Sequence, residues 1–245
     1  RFYPELTTRY FDWPNYQYGT SWTLRLNANE LISVTTLSSG GTTIAASDFF
    51  LEPNQYGPPY NRLEIDLASS AAFGGGSTHQ RDITVTGLWG YSNDETSAGT
   101  LAEALDASET AVDVDGPASA LLGVGSVLRV DTERMIVTGR TQLTTAQTLQ
   151  TPLTAAMNSE TVAVTTGSAY AVDEVLLLDS ERMLVVDIAG NNLTVKRAWD
   201  GSTLATHTGS TIYAPRTLTV TRGALGTTAA THLTAAPAYR WDPPG

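Results

Sequence analysis

The 245-residue chain contains no cysteine, so neither a disulfide framework nor a thiolate site can be built from it. Positive charge is scarce as well: 14 Lys plus Arg stand against 25 Asp plus Glu, giving a net charge of −11. A sequence-independent grip on nucleic-acid phosphates needs the opposite balance, so no such binding is expected. DNA could still pass along an acidic wall, which repels rather than holds it. No apolar run approaches the length of a membrane span and no signal-peptide pattern is read, so no membrane partner is expected. A Gly-x-Ser-x-Gly elbow, a phosphate loop and a dinucleotide fingerprint are all missing. What is plentiful is Thr, Ser, Gly and Ala, with only 16% charged residues. That mixture suits strands and tight turns better than long solvated helices and points to an all-β fold of sandwich or small-barrel domains.

The second half contains one β-module twice. Its opening part reads Val127-Leu128-Arg129-Val130-Asp131-Thr132-Glu133-Arg134-Met135-Ile136-Val137, and again Val175-Leu176-Leu177-Leu178-Asp179-Ser180-Glu181-Arg182-Met183-Leu184-Val185. Its closing part reads Leu193-Thr194-Val195-Lys196-Arg197 up to His207, and again Leu218-Thr219-Val220-Thr221-Arg222 up to His232. The order is head, head, tail, tail, so the second module is expected inside a hairpin loop of the first. An upstream echo, Ser108-Glu109-Thr110-Ala111-Val112 against Ser159-Glu160-Thr161-Val162-Ala163, extends the repeat. The expected domains are an N-terminal β domain over 1–97, module A over 98–140 plus 217–245, and module B over 141–216. Insertion of this kind is cheap if the inserted ends lie close together, because loop-closure entropy grows only logarithmically. Replacing Thr141–Arg216 with an Asn-Gly turn should then close module A's own hairpin.

The first stretch, to about Tyr91, reads as a string of strands. Trp22, Leu24 and Leu26 alternate with polar residues, and so do Leu63, Ile65 and Leu67. Leu31–Leu37 should return through Ser38-Ser39-Gly40-Gly41 into a strand over Thr43–Leu51. Tyr56-Gly57-Pro58-Pro59 breaks the ladder, and Gly74-Gly75-Gly76 reads as a flexible linker. Ser92–Gly99 is polar and marks the boundary between the halves.

Candidate chemistry is thin. Asp131 with Glu133, and Asp179 with Glu181, are paired carboxylates, the oxygens a calcium site or a retaining glycosidase would use. The commoner reading of such a segment is a hairpin turn, with the Asp bonded to its own backbone and the Glu solvated. His207 and His232 fall at equivalent repeat positions, so they are expected to fix turns by donating to neighbouring carbonyls. With His79 they form no zinc spacing. Asn192-Leu193-Thr194 matches a glycosylation sequon that the turn already explains. Tyr10, Phe11, Trp13, Tyr16 and Tyr18 cluster near the start, where aromatics stack on sugar or pack in a core. No catalytic residue, cofactor site or metal site is assigned, and no enzyme activity is expected.

Two stretches resemble structural proteins of tailed bacteriophages. Thr8-Arg9-Tyr10-Phe11-Asp12, Leu31–Leu37, Asp48-Phe49-Phe50-Leu51-Glu52-Pro53 and Ile83–Tyr91 are similar, in that succession, to the β-rich segment of head-to-tail connector (adaptor) proteins. Leu218–His232 resembles a small β-module that recurs in phage virion proteins. Adaptors carry helices around their β segment, whereas β-modules follow Tyr91 here. The resemblance therefore places the helical part upstream of Arg1 or makes the chain another neck or tail component. It implies a virion protein, a homo-oligomeric ring between portal and tail, with portal, stopper or tail proteins as partners and DNA passing through. A baseplate or tail-fibre protein binding host-surface carbohydrate is the alternative.

Overall fold

A computed structural model of the chain describes residues 3–13, 21–26 and 30–243. The fold is all-β, its sheets arranged as in a sandwich, with no closed barrel among the described residues. Two compact units divide between Asp94 and Glu95, and Asp242 and Pro243 return to the first.

Among the described residues of the first unit, seven strands form two antiparallel sheets. The strands are β1 (Glu5–Phe11), β2 (Thr23–Arg25), β3 (Leu31–Ser39), β4 (Thr42–Ile44), β5 (Phe49–Glu52), β6 (Arg62–Ile65) and β7 (Ile83–Trp89). One sheet has the order β1-β7-β3-β4 and the other β2-β6-β5. Strand β7 shows the cause most clearly: Ile83, Val85, Gly87 and Trp89 face inward and alternate with half-buried Thr84, Thr86 and Leu88. Trp89 is fully buried, its indole N–H donating to the Thr7 carbonyl at 3.1 Å, with Arg9 stacked 4.1 Å from the ring. Leu24 and Leu26 point into this core as the alternation requires.

Three expectations fail here. The strand expected over Thr43–Leu51 is split by a 3-10 turn, Ala46–Asp48, in which Asp48 N–H donates to Ala45. The turn sends β4 and β5 into different sheets. The face of Leu63, Ile65 and Leu67 stops at Ile65, and Leu67 is 71% exposed. Asp66 ends the strand by accepting the Ala68 N–H on its carboxylate, an Asx turn. The triglycine is no free linker either. Ser39 Oγ accepts the Gly74 N–H at 2.7 Å and donates to Asp82 Oδ2 at 2.8 Å, and a Cβ on Gly40 (φ 58) would stand 2.5 Å from Gly75 C. Only glycine fits that approach.

The second unit starts at β8 (Glu95–Thr100), inside the segment whose polarity reads as a boundary. It continues through β9 (Ala111–Asp113), the short helix α1 (Gly116–Leu121), β10 (Val127–Val130), β11 (Glu133–Thr148), β12 (Thr161–Ala163), β13 (Val175–Leu178), β14 (Glu181–Ala189), β15 (Asn192–Lys196), β16 (Thr211–Thr221) and β17 (Pro237–Trp241). The sheet order is β12-β15-β14-β13-β16-β11-β10-β17-β8, with β9 on β16. The long strands β11 and β16 pair from Ile136↔Thr221 to Thr148↔Thr211 and carry the chain from one core to the other and back. One core gathers Leu101, Val112, Leu128, Met135, Val137, Leu218 and Val220. The other gathers Leu149, Val162, Leu176, Met183, Val185, Leu193 and Ile212.

The register gives the repeat residue by residue. Val130 pairs Glu133 across the turn at Asp131 and Ala238 on the other side; Leu178 pairs Glu181 across the turn at Asp179 and Ile212 on the other side. In the second module, β14 and β15 close through Ala189↔Asn192, with only Gly190 (φ 62) and Asn191 between. In the first, the matching pair is Thr141↔Thr217, and residues 142–216 stand where that two-residue turn would be. Val164 N–H donates to the Asn191 carbonyl and Val114 N–H to that of Arg216, both at 2.9 Å, so Arg216 occupies the place of Asn191. The upstream echo shifts by one residue. Val112 pairs Leu218 and Val162 pairs Leu193, so Val112 matches Val162 and not Ala163, because both valines are buried.

Candidate functional site

Each module buries one charged network where its hairpin ends. On β11, Glu133 shares the inward parity of Met135 and Val137; one residue past the end of β16, Arg222 continues the row of Leu218 and Val220. The two rows face each other, so the first residue of β11 and the residue just beyond β16 place a carboxylate against a guanidinium. Arg222 donates to Glu133 through Nε (2.7 Å) and Nη2 (2.8 Å) in a bidentate pair. Its remaining N–H groups reach the carbonyls of Asp106, Glu109 and Ala230, each at 2.7 Å. Glu133, with no exposed side-chain surface, also accepts the N–H groups of Gly223 and Ala230 at 2.9 Å. His232 lies between Glu133 Oε2 at 2.9 Å (Nε2) and Asp131 Oδ2 at 2.8 Å (Nδ1). Each ring nitrogen of His232 therefore faces a carboxylate oxygen.

The second module repeats it. Arg197 grips Glu181 at 2.7 and 2.8 Å, and reaches the carbonyls of Thr154, Ser159 and Ala205. Ala198 and Ala205 donate to Glu181 at 2.9 Å. His207 bridges Glu181 (2.9 Å) and Asp179 (2.7 Å), and Ser210 Oγ adds a bond to Asp179. The loop between Arg and His is copied as well. Ser202 Oγ accepts the Arg182 N–H and donates to the Trp199 carbonyl, as Thr227 does with Arg134 and Ala224.

This overturns two expectations. Glu133 and Glu181 are not solvated turn residues but fully buried, and the histidines bond to carboxylates rather than carbonyls. Arg197 and Arg222 were missed as site residues, although both close the repeated tails. The signal lay in the alternation: Glu, Met, Val on one strand and Leu, Val, Arg on the other share the inward face in both copies. The turn reading holds for the aspartates' backbone, since Asp131 and Asp179 have φ of 50 and 51.

Burial alone would push the Glu133 and Glu181 carboxyls up. The bonds from Arg222 and His232, or Arg197 and His207, together with two backbone N–H groups each, outweigh it and hold both near 2, against an ordinary 4.5. Asp179 is lowered by the bonds from His207 and Ser210. Since the folded value lies below the unfolded one, this stabilisation is fully present above about pH 4.5 and is lost as pH falls toward 2. It amounts to about 3 kcal/mol per network. Urea midpoints measured from pH 6 down to 2 should therefore fall through that window, with a shallower fall in Glu181→Gln. Midpoints flat to pH 2 would contradict the assignment.

The other candidates do not converge with these. His79 is exposed; its carbonyl accepts the Trp13 N–H at 2.8 Å, and with Trp13, the triglycine and Asp82 it lines a cavity of about 140 Å³. Phe11 stacks on Trp89 with centroids 6.0 Å apart, whereas Tyr10 is 60% exposed. Tyr16 and Tyr18 lie outside the described residues. Asn192 opens β15 on the exposed side of its hairpin. Among the described residues no group of three or more His, Asp or Glu is arranged to hold a metal ion, and no helix is long and apolar enough to cross a membrane. Compared with protein-family models, with curated proteins and with solved structures, the chain matches none.

Proposed function

We propose that the chain is a structural, non-enzymatic virion protein of a tailed bacteriophage, forming part of the head-to-tail connector ring between portal and tail. The observation that carries the reading joins sequence to geometry. The stretch that resembles the recurrent phage module, Leu218–His232, contains the residues that build a buried network. Arg222, Gly223, Ala230 and His232 all bond to Glu133, and Arg222 uses every N–H it has. The chemistry of that motif is architectural: its ionisable groups are tied to one another and present no free nucleophile or base. A protein built this way works through surfaces, and a closed ring with heterologous contacts is the assembly that suits a connector.

Electron microscopy of the protein in assembled particles tests this, with a cyclic ring at the neck expected. A single copy per particle, or a threefold fibre, would overturn it. The alternative, a baseplate or fibre protein that binds host-surface carbohydrate, has exposed Tyr10 and Tyr56 in its favour. Binding on a glycan array that is lost in Tyr56→Ala would move the reading there.

A further inference from the structure

The inward row of β16 runs Ile212, Ala214, Arg216, Leu218, Val220. Its first two members belong to the second core of the unit and its last two to the first, which leaves Arg216 as a buried charge at the seam. Arg216 Nε donates to Glu174 Oε1 at 2.8 Å; Nη2 donates to Glu174 Oε2 at 3.0 Å and to the Ala169 carbonyl at 2.8 Å. Glu174 has no exposed side-chain surface, and the guanidinium lies 5.3 Å from the Tyr170 ring. Helix α1 of the other module closes over the pair. A Cβ on Gly116 would stand 2.8 Å from Ala169 O and 3.1 Å from both Arg216 Nη2 and Glu174 Oε2. Beside it, Arg140 Nη2 bonds the carbonyls of Ser119, in α1, and of Pro215.

The repeat shows that neither charge is needed by a module as such. Ser126 holds in the first module the place of Glu174, since Val137 N–H donates to Ser126 as Val185 N–H does to Glu174. Asn191 holds in the second module the place of Arg216. Both charges occur where one module meets the other. The connecting ribbon of β11 and β16 has register shifts at Thr141/Leu143 and Thr144/Thr148, and an irregular two-stranded ribbon twists easily. We propose that the Glu174–Arg216 pair, enclosed by Gly116 and Arg140, is an alignment lock that makes the two nested modules one rigid arm. A buried bidentate pair has one good geometry, so it fixes an orientation that apolar contact alone leaves free.

Because the chain has no cysteine, Thr132→Cys and Ser180→Cys create two unique labelling sites, both exposed and one in each module. Distances between spin labels there, read by pulsed electron resonance, should form one narrow distribution. In Glu174→Leu/Arg216→Met, which leaves no unpaired ion, the narrow distribution should be lost while hydrogen exchange shows both cores intact. Gly116→Val keeps the charges but wedges the seam and should shift the mean distance. An unchanged narrow distribution in the double variant overturns the lock, as does a broad one in the unaltered seam. Should the double variant fail to fold, an unchanged distance in Gly116→Val overturns it.

Discussion

Glu181→Ala is expected to destabilise the second module by about 3–5 kcal/mol, and Glu133→Ala the first by as much, because each leaves a buried guanidinium without its counter-ion. The loss goes beyond one ion pair. In Glu181→Ala the N–H groups of Ala198 and Ala205 and the Nε2 of His207 all lose their acceptor, in a site where the Arg197 side chain has no exposed surface. Glu181→Gln should recover little, since its amide would aim an N–H₂ at donors. Asp179→Ala should cost about 1 kcal/mol or less, because Asp179 is 62% exposed. Hydrogen exchange resolves the two modules separately. Glu181→Ala should speed exchange in β13–β15 and leave β10 and β17 protected. A double-mutant cycle should show strong coupling between Glu181 and Arg197, and near additivity between Glu181 and Glu133, which sit in separate networks. A Glu181→Ala protein as stable as Asp179→Ala would refute the structural role given to these carboxylates.

Excision of the second module should depend on one residue. The pairs Arg140↔Leu218 and Thr141↔Thr217 mean that an Asn-Gly turn must replace 142–216, which keeps Thr141 opposite Thr217. The join suggested by the repeat alone, replacing 141–216, sets Arg140 opposite Thr217 and slips the register by one. A slip of one turns the row of Met135 and Val137 away from Leu218 and Val220, so that shorter chain should lose cooperative melting. The 142–216 deletion should melt cooperatively, with the first core and the Glu133 network complete. The excised 142–216 fragment should also fold, because it holds the whole second core, from Leu149 to Ala214. Circular dichroism melts of the three chains decide the matter: equal melting of both deletions would show that the register does not govern closure.

The sequence by itself determined a good deal. Period-two alternation marks β7, β14 and β15, and the order of the repeated heads and tails leads to one hairpin opened by another. Alternation also carried the site, since Glu133 with Met135 and Val137, and Leu218 with Val220 and Arg222, each share a face. What alternation could not supply is which face meets which. Glu133 and Arg222 lie 89 residues apart, and Glu133 and His232 lie 99 apart. Read locally, Asp-Thr-Glu is a solvated turn. Only when β11 and β16 align do a carboxylate and a guanidinium meet in a space without water, where neither would remain alone. The Glu174–Arg216 pair was decided by tertiary structure alone. Ser126 and Asn191 occupy its places elsewhere in the repeat, so no pattern along the chain announces it. A charge pair at a seam has meaning only once the two cores are set side by side.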